Sequence, residues 1–323
     1  MMARAGHQVI EYSNAGSESG AEEKIEILTE DEFRQFYGLN SEQEFFGDRA
    51  NIGSPGHTLF QQKLIREMIG RVEEEDIICH PFGHAHQTLL EIFPNNLHIE
   101  TGIGYTTLMP TSLKIYESYA WMHYHLGMEK RHGHNFEWVV PNYYDLDDWK
   151  VNTSHGDYLA FLGRITEIKG FDTIRAIADN SSVPIVVCGQ GNLDRWKHPN
   201  ITYMPPISGR ARSNFLGSAK ALLAPSIFVE PFCGMSVEAM LCGTPVISVD
   251  YGAMTETVQD GMGFRCHTLA DWLEAIEKVS DLDRGNIANI ARSKYSLEVC
   301  GQKYSKIFKQ AHSLYGNGWY ELG

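Results

Sequence analysis

Glu230-Pro-Phe-Cys-Gly-Met-Ser-Val-Glu238, continued by Ala-Met-Leu-Cys-Gly-Thr-Pro-Val-Ile-Ser248, spaces two carboxylates around a junction of loop and helix. Pro225, Pro231 and Gly234 keep residues 224–234 irregular, whereas Ser236 to Cys242 is a run of helix formers closed by Gly243 and Pro245. A helix is therefore expected to begin near Met235. Its first N–H groups lack partners within the helix and its dipole places positive potential there, so a phosphate is the natural occupant. Glu238 lies about one turn inside. Helical side chains lean toward the N-terminus, so its carboxylate can reach back and accept hydrogen bonds from a vicinal diol. Glu230, before the turn, faces the same ligand from the other side. Taken singly, the two residues also fit a solvated loop and an exposed first helical turn.

Upstream, Tyr158-Leu-Ala-Phe-Leu162 reads as a buried strand, followed by Gly163-Arg164-Ile-Thr-Glu-Ile-Lys169-Gly170 and a helical stretch from Phe171 to Ala178. Arg164 and Lys169 thus project from a turn at the carboxyl end of a strand, the edge where open parallel sheets bind ligands. An arginine fork and a lysine point charge there suit a diphosphate.

Several motifs follow one another in order: Gly163-Arg164 with Lys169-Gly170, Val186-Val-Cys-Gly189-Gln-Gly191, Ala224-Pro-Ser226, the paired-glutamate segment, and Gly243-Thr-Pro-Val. This ordered set resembles the second domain of retaining GT-B glycosyltransferases of the GT4 type, the glycosyl transferases group 1, over nearly all of residues 157–265. Pro141-Asn142-Tyr-Tyr-Asp145 is similar to the family's hinge segment, with Tyr143 in a glycine position. The resemblance implies an α/β GT-B fold of two Rossmann-like parallel-sheet domains facing a cleft. On that basis residues 1–150 form the acceptor-side domain, 151–295 the nucleotide-sugar side, and 296–323 a helix returning to the first domain. Relatives open with an apolar strand, a glycine loop and a helix before a stretch like Ala3-Arg-Ala-Gly-His7. Here that stretch lies almost at Met1, so the first domain is expected to lack its usual N-terminal strand and to leave strand edges unpaired. An upstream start, a different closure or an impaired chain would each account for this.

The implied reaction moves a sugar from a nucleotide diphosphate to an acceptor, with retention. Charge stabilisation of the leaving diphosphate is its main requirement. Arg164, Lys169 and the N–H groups of Gly234 and Met235 would supply it without a metal or other cofactor. Glu230 would hold sugar hydroxyls and Glu238 the ribose. By resemblance, Gly163, Gly189, Cys233 and Ile207 line the donor site, with Ile207 in the base-binding loop. Cys233 and Pro205 stand where the family often has glycine. UDP-sugars are the first expectation, with GDP- and ADP-sugars open. An epimerase or hydrolase of the same fold, and a non-catalytic nucleotide-sugar-binding scaffold, are the other classes. A glycosidase is disfavoured, because a neutral glycoside needs no cationic clamp.

Histidines cluster in Cys79-His-Pro-Phe-Gly-His-Ala-His86. Pro81 and Gly83 interrupt the helix that would align His80 with His84 on a metal. Relatives use a first-domain histidine on the donor sugar, and His80 at the strand's end is the expected one, with His86 next. Asp145-Leu-Asp147 and Asp281-Leu-Asp283 are expected to cap helices rather than bind metal.

Composition agrees with a soluble two-domain enzyme. The chain has 323 residues, 43% of them hydrophobic, with no apolar run of about 18 residues. It also lacks a signal-peptide core, so a cytoplasmic location is expected. Six cysteines without a C-x-x-C pair point to reduced thiols. Net charge is 27 − 41 = −14. About 24 acidic and 11 basic residues precede residue 151, against about 17 and 16 beyond it. Such an acidic first half disfavours nucleic acid and anionic lipid, leaving a soluble or protein-borne acceptor slightly favoured over a lipid-linked one. Strands are expected at 8–12, 24–28, 75–80, 97–101 and 137–140, then at 158–162, 184–188, 201–203, 221–224 and 245–249. Helices are expected at 29–37, 58–70 and 296–315, and loops at 15–23 and 40–57.

Overall fold

The computed structural model describes residues 1–38 and 51–314. Residues 40–50 of the expected 40–57 loop and the segment 315–323 lie outside them. The chain separates into two units, one of Met1–Tyr116, Arg131–Val140 and the chain from Cys300 onward, the other of Glu117–Lys130 and Pro141–Val299. The division thus falls at Val140/Pro141 rather than at residue 150, and a helical excursion after Tyr116 groups with the second unit.

In the first unit, β1 (Ile10–Ser13) pairs in parallel with β2 (Glu23–Glu26). Thr29 then starts α1 (Glu30–Tyr37) through a reciprocal capping box with Glu32. Ser54 caps α2 (Pro55–Met68), with Pro55 in the first turn. A parallel sheet follows, built from β3 (Ile77–His80), then, after the short α3 (Thr88–Ile92), β4 (Leu97–Ile103), β5 (Leu113–Tyr116) and β6 (Glu137–Val139), in that spatial order. β3 is an edge of this sheet, with β4 as its hydrogen-bonded neighbour. β5 is a strand that the sequence pattern did not reveal. It is four residues long with Lys114 inside, yet all four residues are buried because Lys114 turns its ammonium back onto the Thr111 carbonyl.

The second unit begins with α4 (Tyr119–Met128), capped by Ser118. Its sheet contains β7 (Leu159–Leu162), β8 (Ile185–Cys188), β9 (Ile201–Met204), β10 (Ala221–Ala224), β11 (Val246–Val249) and β12 (Gly263–Cys266). The intervening helices are α5 (Phe171–Asn180), α6 (Gly209–Ser218), α7 (Gly234–Leu241), α8 (Met254–Thr257), α9 (Leu269–Lys278) and α10 (Arg284–Tyr295). All strand pairs are parallel, and the spatial order is β12-β11-β10-β7-β8-β9. Counted from β7, that is the 3-2-1-4-5-6 order of a doubly wound nucleotide-binding sheet. Its topological switch point lies between β7 and β10, where a crevice opens at the strands' carboxyl ends.

Residues of β7 and β10 are buried throughout, as a strand covered on both faces by helices requires. Phe161 and Phe171 meet edge to face at 4.8 Å, which fixes α5 on the sheet. The chain closes with α11 (Leu297–Leu314), whose Cys300, Tyr304, Ile307 and Phe308 share a buried cluster with Ile99, Leu113 and Ile115 of the first unit. Among the described residues no helix is long and apolar enough to cross a membrane.

Candidate active site

The loops that leave β7 and β10 meet at the switch point because Gly170 permits it. Its φ is +78°, and a Cβ there would lie 1.9 Å from the Pro225 carbonyl oxygen. Gly189, after β8, is equally constrained, since a Cβ would fall 1.7 Å from the Gly163 oxygen. Gly163 in turn faces Met235, whose sulfur would be 3.9 Å from a Cβ at 163. The Cys188 thiol donates to the Pro205 carbonyl at 3.1 Å and the Tyr203 hydroxyl to the Gly189 carbonyl at 3.0 Å. Those bonds seat the segment carrying Ile207, itself packed on the hydrophobic core, beside the end of β8. The residues expected to line a donor site in this unit therefore gather at one sheet edge.

Lys169 Nζ stands 2.5 Å from Glu230 Oε1, and Ser226 Oγ donates to the same oxygen at 2.5 Å. Lys169 also lies over the Phe228 ring, 4.8 Å from its centre. Both bonds fall on one carboxylate oxygen, leaving Glu230 Oε2 without a protein donor among the described residues. Arg164 is exposed in the same loop.

Helix α7 starts at Gly234 after Cys233, which holds φ +64° and ψ +66°. That left-handed conformation is one that glycine adopts without the steric cost a Cβ brings. Burial pushes the Cys233 thiol up to about 12, with the neighbouring Glu230 charge acting in the same direction, so it stays a neutral group hydrogen-bonded to Ser236. Glu238 points back along α7, its Oε1 3.9 Å from where a Cβ of Gly234 would stand. Its other oxygen, Oε2, accepts from Arg212 Nε at 2.8 Å and from a second guanidinium nitrogen of Arg212. Burial raises the Glu238 carboxyl, and Arg212 opposes that rise. The Tyr144 hydroxyl donates to the Gly234 carbonyl at 3.2 Å.

Both glutamates are thus built alike, with one oxygen clamped by a cation and the other without a protein donor among the described residues. Arg212 and the role of Ser226 were not legible in the sequence. Arg212 lies 26 positions from Glu238, and no linear spacing predicts a pair joined across two helices.

His80 lies buried at the end of β3. Its ring is 1% exposed, and its Nε2 is bonded to His98 Nδ1 at 2.9 Å. Burial, reinforced by His98 and His86, drives its pKa down to about 3. A donor contact by His80 would require that buried pair to open. His86 bonds Gln61 at 2.5 Å and is pushed down to about 4 by burial. Among the described residues no group of three or more His, Cys, Asp or Glu side chains converges as a metal site. Asp145 accepts from Asp147 N–H and Asp283 caps α10 through Asn286 N–H.

Residues 156–281 match the family described as Glycosyl transferases group 1. This segment is similar to the group 1 glycosyltransferases. The D-inositol 3-phosphate glycosyltransferase of Mycobacterium leprae is 29% identical over 148 residues, 40% of this chain and 34% of the relative. The enzyme of the same description from Mycolicibacterium smegmatis is 29% identical over 174 residues, 48% of this chain and 38% of the relative. The chain thus matches little more than a third of the length of these relatives.

Solved structures extend the likeness of fold beyond the matched segment. AviGT4, a glycosyltransferase involved in avilamycin A biosynthesis, superposes with a TM-score of 0.71 at 19% identity, covering 97% of this chain and 87% of its own. Anabaena Alr3699/HepE, solved with UDP and glucose, gives 0.64 at 15% identity, covering 94% of this chain and all of its own. The fold is GT-B, an α/β architecture with two Rossmann-like domains. Within the segment matched by the group 1 family, the clamped glutamates occupy the switch-point edge.

Proposed function

We propose that the second unit binds a nucleotide-diphosphate sugar and that the protein transfers the sugar to an acceptor with retention of anomeric configuration. The observation that carries this reading is the pair of half-clamped glutamates at the switch point, Glu230 held through one oxygen by Lys169 and Glu238 through one oxygen by Arg212. A diphosphate at that helix start would meet unpartnered N–H groups, Arg164 and Lys169. Lys169 would then be shared between Glu230 and the leaving group. As the glycosidic bond breaks, negative charge grows on the diphosphate, and these fixed positive groups lower the barrier without a metal. Glu230 Oε2 would accept from sugar hydroxyls and Glu238 Oε1 from the ribose. A UDP-sugar is the first candidate donor, since Alr3699/HepE was solved with UDP-glucose. The acidic first half supports a soluble or protein-borne acceptor in the cytoplasm over nucleic acid or an anionic lipid surface.

Calorimetric titration with UDP, GDP, ADP and their sugar conjugates tests the arrangement. In Glu230→Gln, the bare nucleotide should bind within about threefold of wild type, while the added affinity contributed by the sugar falls about tenfold, the worth of one charged hydrogen bond. An unchanged sugar contribution would remove Glu230 from the site. Nucleotide release from the conjugate in the absence of any acceptor would instead favour a hydrolase or epimerase of the same fold.

A further inference from the structure

We propose that Arg212 is the positioning residue for ribose recognition, holding Oε2 of Glu238 so that Oε1 is presented, ionised and fixed, at the start of α7. The inference rests on the reading of this unit as a nucleotide-sugar site. Arg212 projects from the first turns of α6, and two of its guanidinium nitrogens reach the same carboxylate oxygen. One carboxylate oxygen offers about two lone-pair directions, so the fork fills Oε2 and leaves Oε1 for a ligand. A lysine could supply the charge but not the two-pronged hold.

The surroundings make the clamp necessary. Glu238 is 8% exposed, and an unpaired carboxylate at such a depth tends to take up a proton. Tyr144 and Cys242 interact electrostatically with Glu238, and Cys233 stands at the start of the same helix. Burial raises all three, so they stay neutral near physiological pH and supply no countercharge. Arg212 supplies that charge, and α6 is in turn anchored. Arg284 donates to the Gly217 and Ala219 carbonyls at the end of α6 and to Thr244 Oγ1. A protonated Glu238 could still donate one hydrogen bond, but its acceptor capacity toward a diol would drop.

The test uses the full chain and whichever of UDP, GDP or ADP binds wild type most tightly, together with its 2′-deoxy and 3′-deoxy counterparts. Dissociation constants are measured by calorimetry at about pH 8 and about pH 6 for wild type, Arg212→Met and Arg212→Lys. Arg212→Met should bind about tenfold more weakly at the higher pH, and the ratio to wild type should widen at the lower pH as Glu238 protonates. The penalty for removing a ribose hydroxyl should shrink in the same variant. Arg212→Lys should weaken binding while keeping the pH ratio of wild type. If Arg212→Met fails to fold, Arg212→Lys carries the test.

Wild-type affinity, pH dependence and deoxyribose penalty in a folded variant would overturn the proposal and leave the donor-site reading standing. Failure of all three nucleotides to bind wild type would overturn both.

Discussion

Cys233 sits at the junction on which the site depends, in a backbone conformation that an L-residue adopts at a cost of roughly 1–2 kcal/mol. Replacement by glycine relieves that cost but loses the buried sulfur, whereas alanine loses the sulfur and keeps the strain. Thermal unfolding should therefore rank Cys233→Gly above Cys233→Ala by about 1 kcal/mol. The reverse order would mean that the backbone at 233 is not held left-handed. At this scale the sequence was a good guide where chemistry and spacing coincide. Glu230, Glu238, Lys169 and the glycines at 163, 189 and 234 come together at one edge. It was less informative at His80, because a histidine at the carboxyl end of a strand fits a ligand contact and a buried histidine pair equally well. Only the position of His98, one strand over and in hydrogen-bonding reach, separates the two.

Among the elements, the crossing of the loops after β7 and β10 is the most constrained feature. Gly170→Ala would force a methyl group into the Pro225 carbonyl and impose a left-handed conformation on alanine. It should destabilise the second unit by about 2–4 kcal/mol, read from denaturant unfolding. A loss below about 0.5 kcal/mol would show that the loops do not approach as described. Wholly apolar strands such as β7 and β8, and capped helices such as α1, were legible because pattern and boundary signals agree. The strands β5 and β12 were not. Each has four residues with a cation inside, Lys114 or Arg265, and so lacks the apolar run or clean alternation that marks a strand. Helix α4 was hidden for a related reason. Its aromatic and histidine residues, Tyr119-Ala-Trp-Met-His-Tyr-His125, carry no sharp helical stripe.

For the whole molecule, the strand order of the second unit and the group 1 match at residues 156–281 point to the same region, the sheet edge at the switch point, where the proposed donor site lies. The sequence motifs already pointed there, since Gly163-Arg164 and Ala224-Pro-Ser226 stand at the ends of β7 and β10, the two strands at the centre of the sheet. The strand order itself, and the grouping of Glu117–Lys130 with the second unit, depend on long-range packing that no local pattern encodes. The central claim is that this edge binds a nucleoside diphosphate through Arg164, Lys169 and the start of α7. Thermal unfolding of wild type and of the Arg164→Ala/Lys169→Ala double variant with UDP, GDP and ADP tests it most directly. At about 100 times its dissociation constant, one of these nucleotides should stabilise wild type by about 2.7 kcal/mol, with the shift largely lost in the double variant. Equal stabilisation of both proteins, or of neither by any of the three, would contradict the claim.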